Sequence, residues 1–136
     1  TLDSMIGYKY DQLKYIGFFS AKIEDYATLI PSRLVLLTLP LVSSKINQYI
    51  SIIKKSYFEG SKYDSPNSGI SEAIFAYTSN LKLGGQSKYN GKLIVKPIIN
   101  SNGDICTKEK INLICLLIFR LQILWMIVFT IIFFNI

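Results

Sequence analysis

Two short stretches hold most of the residues able to do polar chemistry in an otherwise apolar chain. In the first, Glu24 and Asp25 are adjacent carboxylates with Lys22 beside them. Such a pair can hold a hard cation such as Mg²⁺, which prefers oxygen ligands, and it equally suits a solvated helix face. The second stretch runs from SPNSG (65–69) to LGG (83–85), with Glu72 between them. A tight turn leading into a helix offers an anion its free backbone N–H groups and the positive end of the helix dipole. Gly84 and Gly85 allow a ligand to approach the backbone closely, and Lys82, Lys88 and Lys92 flank the region as counter-charges. Glu72 reads as a metal ligand or a base, or simply as a carboxylate where the dipole favours one. Asp3 before Ser4 reads first as a helix cap.

The chemistry open to these residues is bounded by what the chain lacks. It has no histidine, so the commonest general base and metal ligand are both missing. Its two cysteines, Cys106 and Cys115, form no disulfide framework. Neither a phosphate-cradling GxxxxGK[ST] loop nor a GxGxxG fingerprint occurs. The net charge is +6, and residues 34–110 carry ten lysines against five acidic residues. That basic middle invites phosphates, carboxylates or lipid headgroups. Nucleic acid is disfavoured, because no recognised binding motif accompanies the charge.

The elements that must position these groups are read from periodicity. In AKIEDYATLI (21–30), Ile23, Tyr26, Ala27 and Ile30 fall at i, i+3, i+4 and i+7, the apolar stripe of a helix. Ser20 is its expected N-cap and Pro31 its end or the start of the next. The run LVLLTLPLV (34–42) contains Pro40. It extends to a kinked membrane or interfacial helix over 30–53, or else forms a re-entrant element. SEAIFAYTSNL (71–81) repeats with helical spacing, with Gly84–Gly85 as the expected stop. Asn90-Gly91 inside SKYNGKLIV signals a hairpin, with Pro97 closing its second strand.

The strongest single signal is INLICLLIFRLQILWMIVFTIIFF. It predicts a transmembrane helix over 110–134, at about 1.5 Å per residue long enough to cross a bilayer. Arg120 near its middle costs a few kcal/mol unless it pairs or faces a cavity. Half of the chain is apolar and its mean hydropathy is +0.32, as expected of a membrane protein.

Four segments read together carry a resemblance. TLDSMIGYK (1–9), SAKIEDYATLIPSRL (20–34), SPNSGISEAIFAYTSNLKLGG (65–85) and YNGKLIVKP (89–97) resemble, in order, the motifs of the CobD/CbiB family. These are the adenosylcobinamide-phosphate synthases, membrane proteins of cobalamin biosynthesis. Family members are roughly twice this length, and the chain starts with Thr1 rather than Met, so residues 1–136 are expected to be the C-terminal part of one such membrane domain.

The resemblance implies an all-α, multi-pass integral membrane protein of the cell (inner) membrane, with a short β-hairpin in a cytoplasmic loop region. It implies ATP-dependent amide ligation of adenosylcobyric acid, a corrinoid, with aminopropanol or its phosphate. ATP and Mg²⁺ are the implied cofactors, and membrane lipid the implied surroundings. Carried over by motif, Asp25, Glu72 and Lys22 are catalytic candidates, with Asp25 and Glu72 on the metal. Asp3, Lys9, Arg33, Ser65, Asn67, Gly84 and Gly85 are substrate-binding candidates. The chain departs from the family pattern at Lys22, Glu24, Thr28, Tyr77, Thr78, Gln86 and Ser87. These departures leave open a non-catalytic membrane sensor or assembly module of the same superfamily.

Overall fold

The computed structural model describes residues 14–135 apart from Asp64, Asn90 and Gly91. Helix α1 (Lys14–Thr38) is continuous over 25 residues and carries Pro31 in its interior. The expected break at Pro31 does not occur. Proline removes one ladder bond and costs about 3 kcal/mol or more in a helix interior. Here that cost is offset where the following turns bury Ser32, Leu36 and Leu39, and where the Ser32 hydroxyl donates to the Leu29 carbonyl at 2.9 Å. Ser20, expected as an N-cap, is instead a buried residue inside the helix.

The single helix expected over 30–53 is three pieces. α1 stops at Thr38, tight 3₁₀ turns follow at Leu39–Val42 and Ile46–Gln48, and α2 (Tyr49–Gly60) begins afresh. Pro40 disfavours helical backbone at the residue before it, and the Ser43 hydroxyl bonds back to the Pro40 carbonyl at 2.8 Å. Helix α3 (Pro66–Ser79) packs against both α1 and α2. Its crossing with α2 is a backbone contact. A Cβ on Gly69 would lie 2.2 Å from the Gly60 carbonyl oxygen, so only glycine fits there.

α3 ends at Asn80, not at the glycine pair. Asn80 takes the left-handed conformation (φ 57°, ψ 47°), which asparagine tolerates better than most residues. The last carbonyls of the helix are taken by lysines. Lys45 Nζ donates to the Tyr77 carbonyl at 3.1 Å and Lys110 Nζ to that of Ser79 at 2.9 Å. Cations at this helix end also complement its dipole.

Gly84 and Gly85 belong to strand β1 (Leu83–Tyr89), which pairs antiparallel with β2 (Lys92–Ile99). The register runs from Tyr89↔Lys92 to Leu83↔Ile99, with an irregularity between Leu83 and Gly85. Both glycines have φ +87°, and a Cβ on Gly84 would meet the Pro97 carbonyl oxygen at 2.0 Å. The pair therefore makes a bulge that presses onto the partner strand. Pro97 lies inside β2 rather than closing it, because a two-stranded ribbon leaves an edge on which the missing N–H costs no ladder bond.

Helix α4 (Lys108–Phe134) is capped by Thr107, whose hydroxyl accepts the Lys110 N–H at 3.4 Å. The main core joins Leu36 and Leu39 to Ile52, Ile70, Ile74, Leu117 and Leu121. Only Leu117 and Leu121 of α4 are buried, while Phe119, Met126, Ile127, Phe129, Ile131 and Phe133 are more than half exposed. Two segments are long and apolar enough to cross a membrane. The one over Phe18–Val42 has mean hydropathy 1.3 and the one over Lys108–Phe134 has 2.4, so α4 is the stronger of the two. Arg120 is not alone on it, because its Nη1 donates to the Val42 carbonyl at 3.3 Å. That carbonyl closes a 3₁₀ turn and is short of donors.

Candidate functional site

The polar residues of α1 meet the first turn of α3, and Asn67 is the joint. Pro66 starts α3 with its pre-set φ, which places Asn67 in the first turn and against α1. Asn67 is 7 % exposed, so its amide must find partners in the protein. Its Nδ2 donates to the Asp25 carbonyl at 2.7 Å and to the Thr28 hydroxyl at 3.2 Å. Its Oδ1 accepts from the Arg33 guanidinium, which also donates to the Ser32 hydroxyl at 2.8 Å. Asp25, Thr28 and Ser32 share a face because helical spacing stacks them.

This joint separates two clefts. The larger, about 530 Å³, is lined by Glu24, Asp25, Thr28 and Ser32 of α1 and by Ser65, Asn67, Ser68 and Ser71 around the start of α3. The second, about 280 Å³, is lined by Lys22, Asp25 and Arg33 with Pro66 and Asn67. Asp25 and Asn67 belong to both. Ser65 holds the N-cap position of α3 without its side chain capping the helix, which leaves first-turn N–H groups for water or a ligand. Cations, a helix N-terminus and hydroxyls at one place form a surface able to bind phosphate or carboxylate oxygens.

The residues picked from sequence separate accordingly. Lys22, Asp25, Arg33, Ser65 and Asn67 come together around the α1–α3 joint. Lys22 also lies over the Phe18 ring, 5.8 Å from its centroid. Glu72 lines a third cleft of about 260 Å³, with Tyr63, Ser65, Ser68, Lys96 and Pro97. There it accepts from the Ser68 hydroxyl at 3.3 Å. Burial, and secondarily the Glu72 carboxylate, pushes the Tyr63 hydroxyl above its ordinary pKa. Gly84 and Gly85 line none of these three clefts. Asp3 and Lys9 lie outside the described residues.

Ser32 and Ser68 line the larger cleft and went unnoticed in the sequence. The signal for Ser32 was its helical spacing from Asp25, which Pro31 obscured by suggesting a helix end.

Among the described residues, no group of three or more His, Cys, Asp or Glu could by itself hold a metal ion. Glu24 and Asp25 line the larger cleft together with the hydroxyl-bearing residues Thr28, Ser32, Ser65, Ser68 and Ser71. That oxygen-only set fits Mg²⁺ of the kind held by one or two carboxylates plus substrate phosphates. Glu72 lies in a different cleft from Asp25.

Comparison with known proteins agrees with the motif order. The family model described as "CobD/Cbib protein" matches residues 1–118. The chain is 41% identical over 111 residues to the cobalamin biosynthesis protein CobD of Synechocystis sp., covering 82% of this chain and 32% of that protein. It is 36% identical over 131 residues to the protein of the same name from Streptococcus sanguinis, covering 96% and 42%. Against that of Clostridium acetobutylicum it is 35% identical over 133 residues, covering 97% and 42%. The chain thus spans about a third to two fifths of the length of these relatives. No solved structure matches it significantly. On the family match and these identities, the chain belongs to the CobD/CbiB family.

Proposed function

We propose that the protein containing this chain acts in cobalamin biosynthesis as an ATP-dependent amide ligase. It would join adenosylcobyric acid to aminopropanol or its phosphate. The observation that carries this reading is the Asn67 joint. It ties two of the resemblance motifs, 20–34 and 65–85, into one polar cleft.

Amide formation needs a carboxylate made electrophilic by phosphoryl or nucleotidyl transfer, then attack by an amine that expels the activating group. Both steps gather negative charge on phosphate oxygens, so preorganised cations and N–H donors lower the barrier. Arg33 is pre-set for this task. Its guanidinium is held by Asn67 and Ser32 and keeps further N–H donors for a phosphate or carboxylate. Lys22 supplies a second cation on the same side of the joint. The first turn of α3 adds its dipole and N–H groups. Mg²⁺, held by Glu24 and Asp25 with the nucleotide, would supply charge neutralisation at the transferred group. Asn67 orients Arg33 rather than touching the reacting atoms.

We further place α4 across the inner membrane of a multi-pass protein, with the lysine-rich region 43–110 on the cytoplasmic side, where ATP is. Its length and exposed apolar surface support the span, and the lysines support the orientation.

The test is turnover of adenosylcobyric acid, ATP and the amine by the protein in detergent or bilayer. Arg33→Ala should lower kcat/KM by about a hundredfold, a loss of roughly 2.7 kcal/mol. Wild-type turnover in this variant would remove Arg33 from the site, whereas no turnover by the intact protein would favour the non-catalytic module.

A further inference from the structure

Helix α2 has two faces, and the core accounts for only one of them. Ile52, Ser56 and Gly60, spaced four apart, form its buried stripe, and Ile52 joins the main core. The opposite stripe runs through Ile50, Lys54 and Phe58, continued by Ile46 of the preceding 3₁₀ turn and by Lys62 beyond the helix. Ile46, Ile50, Tyr57 and Phe58 are each more than half exposed, and Lys54, Lys55 and Lys62 are exposed among them. Ile46, Tyr49, Ile50, Lys54 and Lys55 line an open groove of about 740 Å³. Large apolar side chains gathered in this way on a surface mark an interaction site.

The charge of this face identifies its partner. Residues 43–58 hold three lysines and no acidic residue. The next acid, Glu59, is engaged elsewhere, its Oε2 accepting the Asn100 N–H at 2.8 Å. Lys62 lies over the Phe58 ring, 4.2 Å from its centroid, so cation and apolar surface are presented together. Apolar side chains interleaved with lysines suit the boundary between anionic headgroups and acyl chains, because lysine stems lie along apolar surface while their ammonium groups reach the phosphates. The placement of α2 agrees. Lys45, just before α2, and Lys110, in the first turn of α4, both bond carbonyls at the end of α3. The start of α2 is thereby tied to the polar end of the helix placed across the membrane.

We infer that the outward face of α2 is an interfacial element that docks onto anionic phospholipid. Ile46, Ile50 and Phe58 enter the acyl boundary, and Lys54, Lys55 and Lys62 meet headgroup phosphates. The inference rests on α4 crossing the membrane and is independent of the ligation reading.

The experiment is hydrogen exchange on the protein containing this chain, in nanodiscs of phosphatidylcholine alone or of phosphatidylcholine and phosphatidylglycerol in equal parts. A lysine near an anionic surface contributes about fivefold. With three of them, the α2 amides should exchange roughly a hundredfold more slowly in the anionic discs. Lys54→Gln combined with Lys62→Gln should cut that difference to about fivefold; both side chains are exposed, so the fold is kept. Equal exchange in the two discs, as another part of the protein covering this face would give, would overturn the docking. So would an undiminished difference in the double variant, or the same slowing produced by inorganic phosphate in neutral discs. The α4 amides read the span separately: slow exchange over 111–134 in both discs sustains it, and rapid exchange there would defeat the span and the docking with it.

Discussion

Replacing Asn67 by Ala tests whether the α1–α3 joint is the organising contact of the site. Asn67 is nearly buried and makes three bonds to α1: one from Arg33 and two to the Asp25 carbonyl and the Thr28 hydroxyl. A hydrogen bond to a charged group contributes about 1.5–3 kcal/mol and a neutral one about 1 kcal/mol. Water entering the adjoining cleft restores part of this, so Asn67→Ala should destabilise the protein by about 3 kcal/mol. Arg33→Ala removes the charged bond to Asn67 and the bond to Ser32, while Asn67 keeps its other two partners. The discriminating quantity is the coupling from a double-mutant cycle on equilibrium unfolding in detergent, expected at about 1.5–3 kcal/mol. A coupling under about 0.5 kcal/mol, within ordinary additivity, would refute the claim that Asn67 holds Arg33. The same cycle read on catalysis should show Asn67→Ala acting through Arg33, with little further loss in the double variant.

Two further outcomes follow from the packing and from one carboxylate. Gly69→Ala places a methyl 2.2 Å from the Gly60 carbonyl oxygen and against Tyr63, which should cost about 1–3 kcal/mol or more and lower the thermal midpoint; an unchanged midpoint would mean that α2 and α3 do not cross there. The Asp104 carboxyl is held below its ordinary pKa, first by hydrogen bonding to Lys110 and then to Asn80. A depressed folded-state pKa stabilises above the unfolded value and is lost as pH falls through the folded one. Lys110→Met should therefore raise the Asp104 pKa in an NMR titration and flatten the acid limb of the stability profile, and an unmoved pKa would exclude that ion pair.

Much of the architecture was legible because it is locally encoded. The 24-residue apolar run is long and apolar enough for a helix that crosses a bilayer, and it appears as α4. The strands flanking Asn90-Gly91 pair as a hairpin because that dipeptide suits a two-residue turn. Asp25, Arg33, Ser65 and Asn67 gather at one joint, as motifs that share a site would. The sequence alone also determined the family, since four ordered motifs survive without any knowledge of their spatial relation.

Tertiary structure decided the rest, wherever a residue's role depends on a partner far along the chain. Proline signals a break, yet Pro31 sits in an unbroken helix because burial of the turns beyond it outweighs one lost bond. The glycine pair looked like a helix stop, but Asn80 turns first and is tied to Asp104, 24 residues away. That leaves Gly84 to press against Pro97. Asn67 and Arg33 are 34 residues apart, and no local periodicity brings them together. Glu72 and Asp25 face different clefts because β2 closes on one side of the α3 N-terminus and α1 on the other. Spacing specifies which residues share a helix face; packing determines what that face meets.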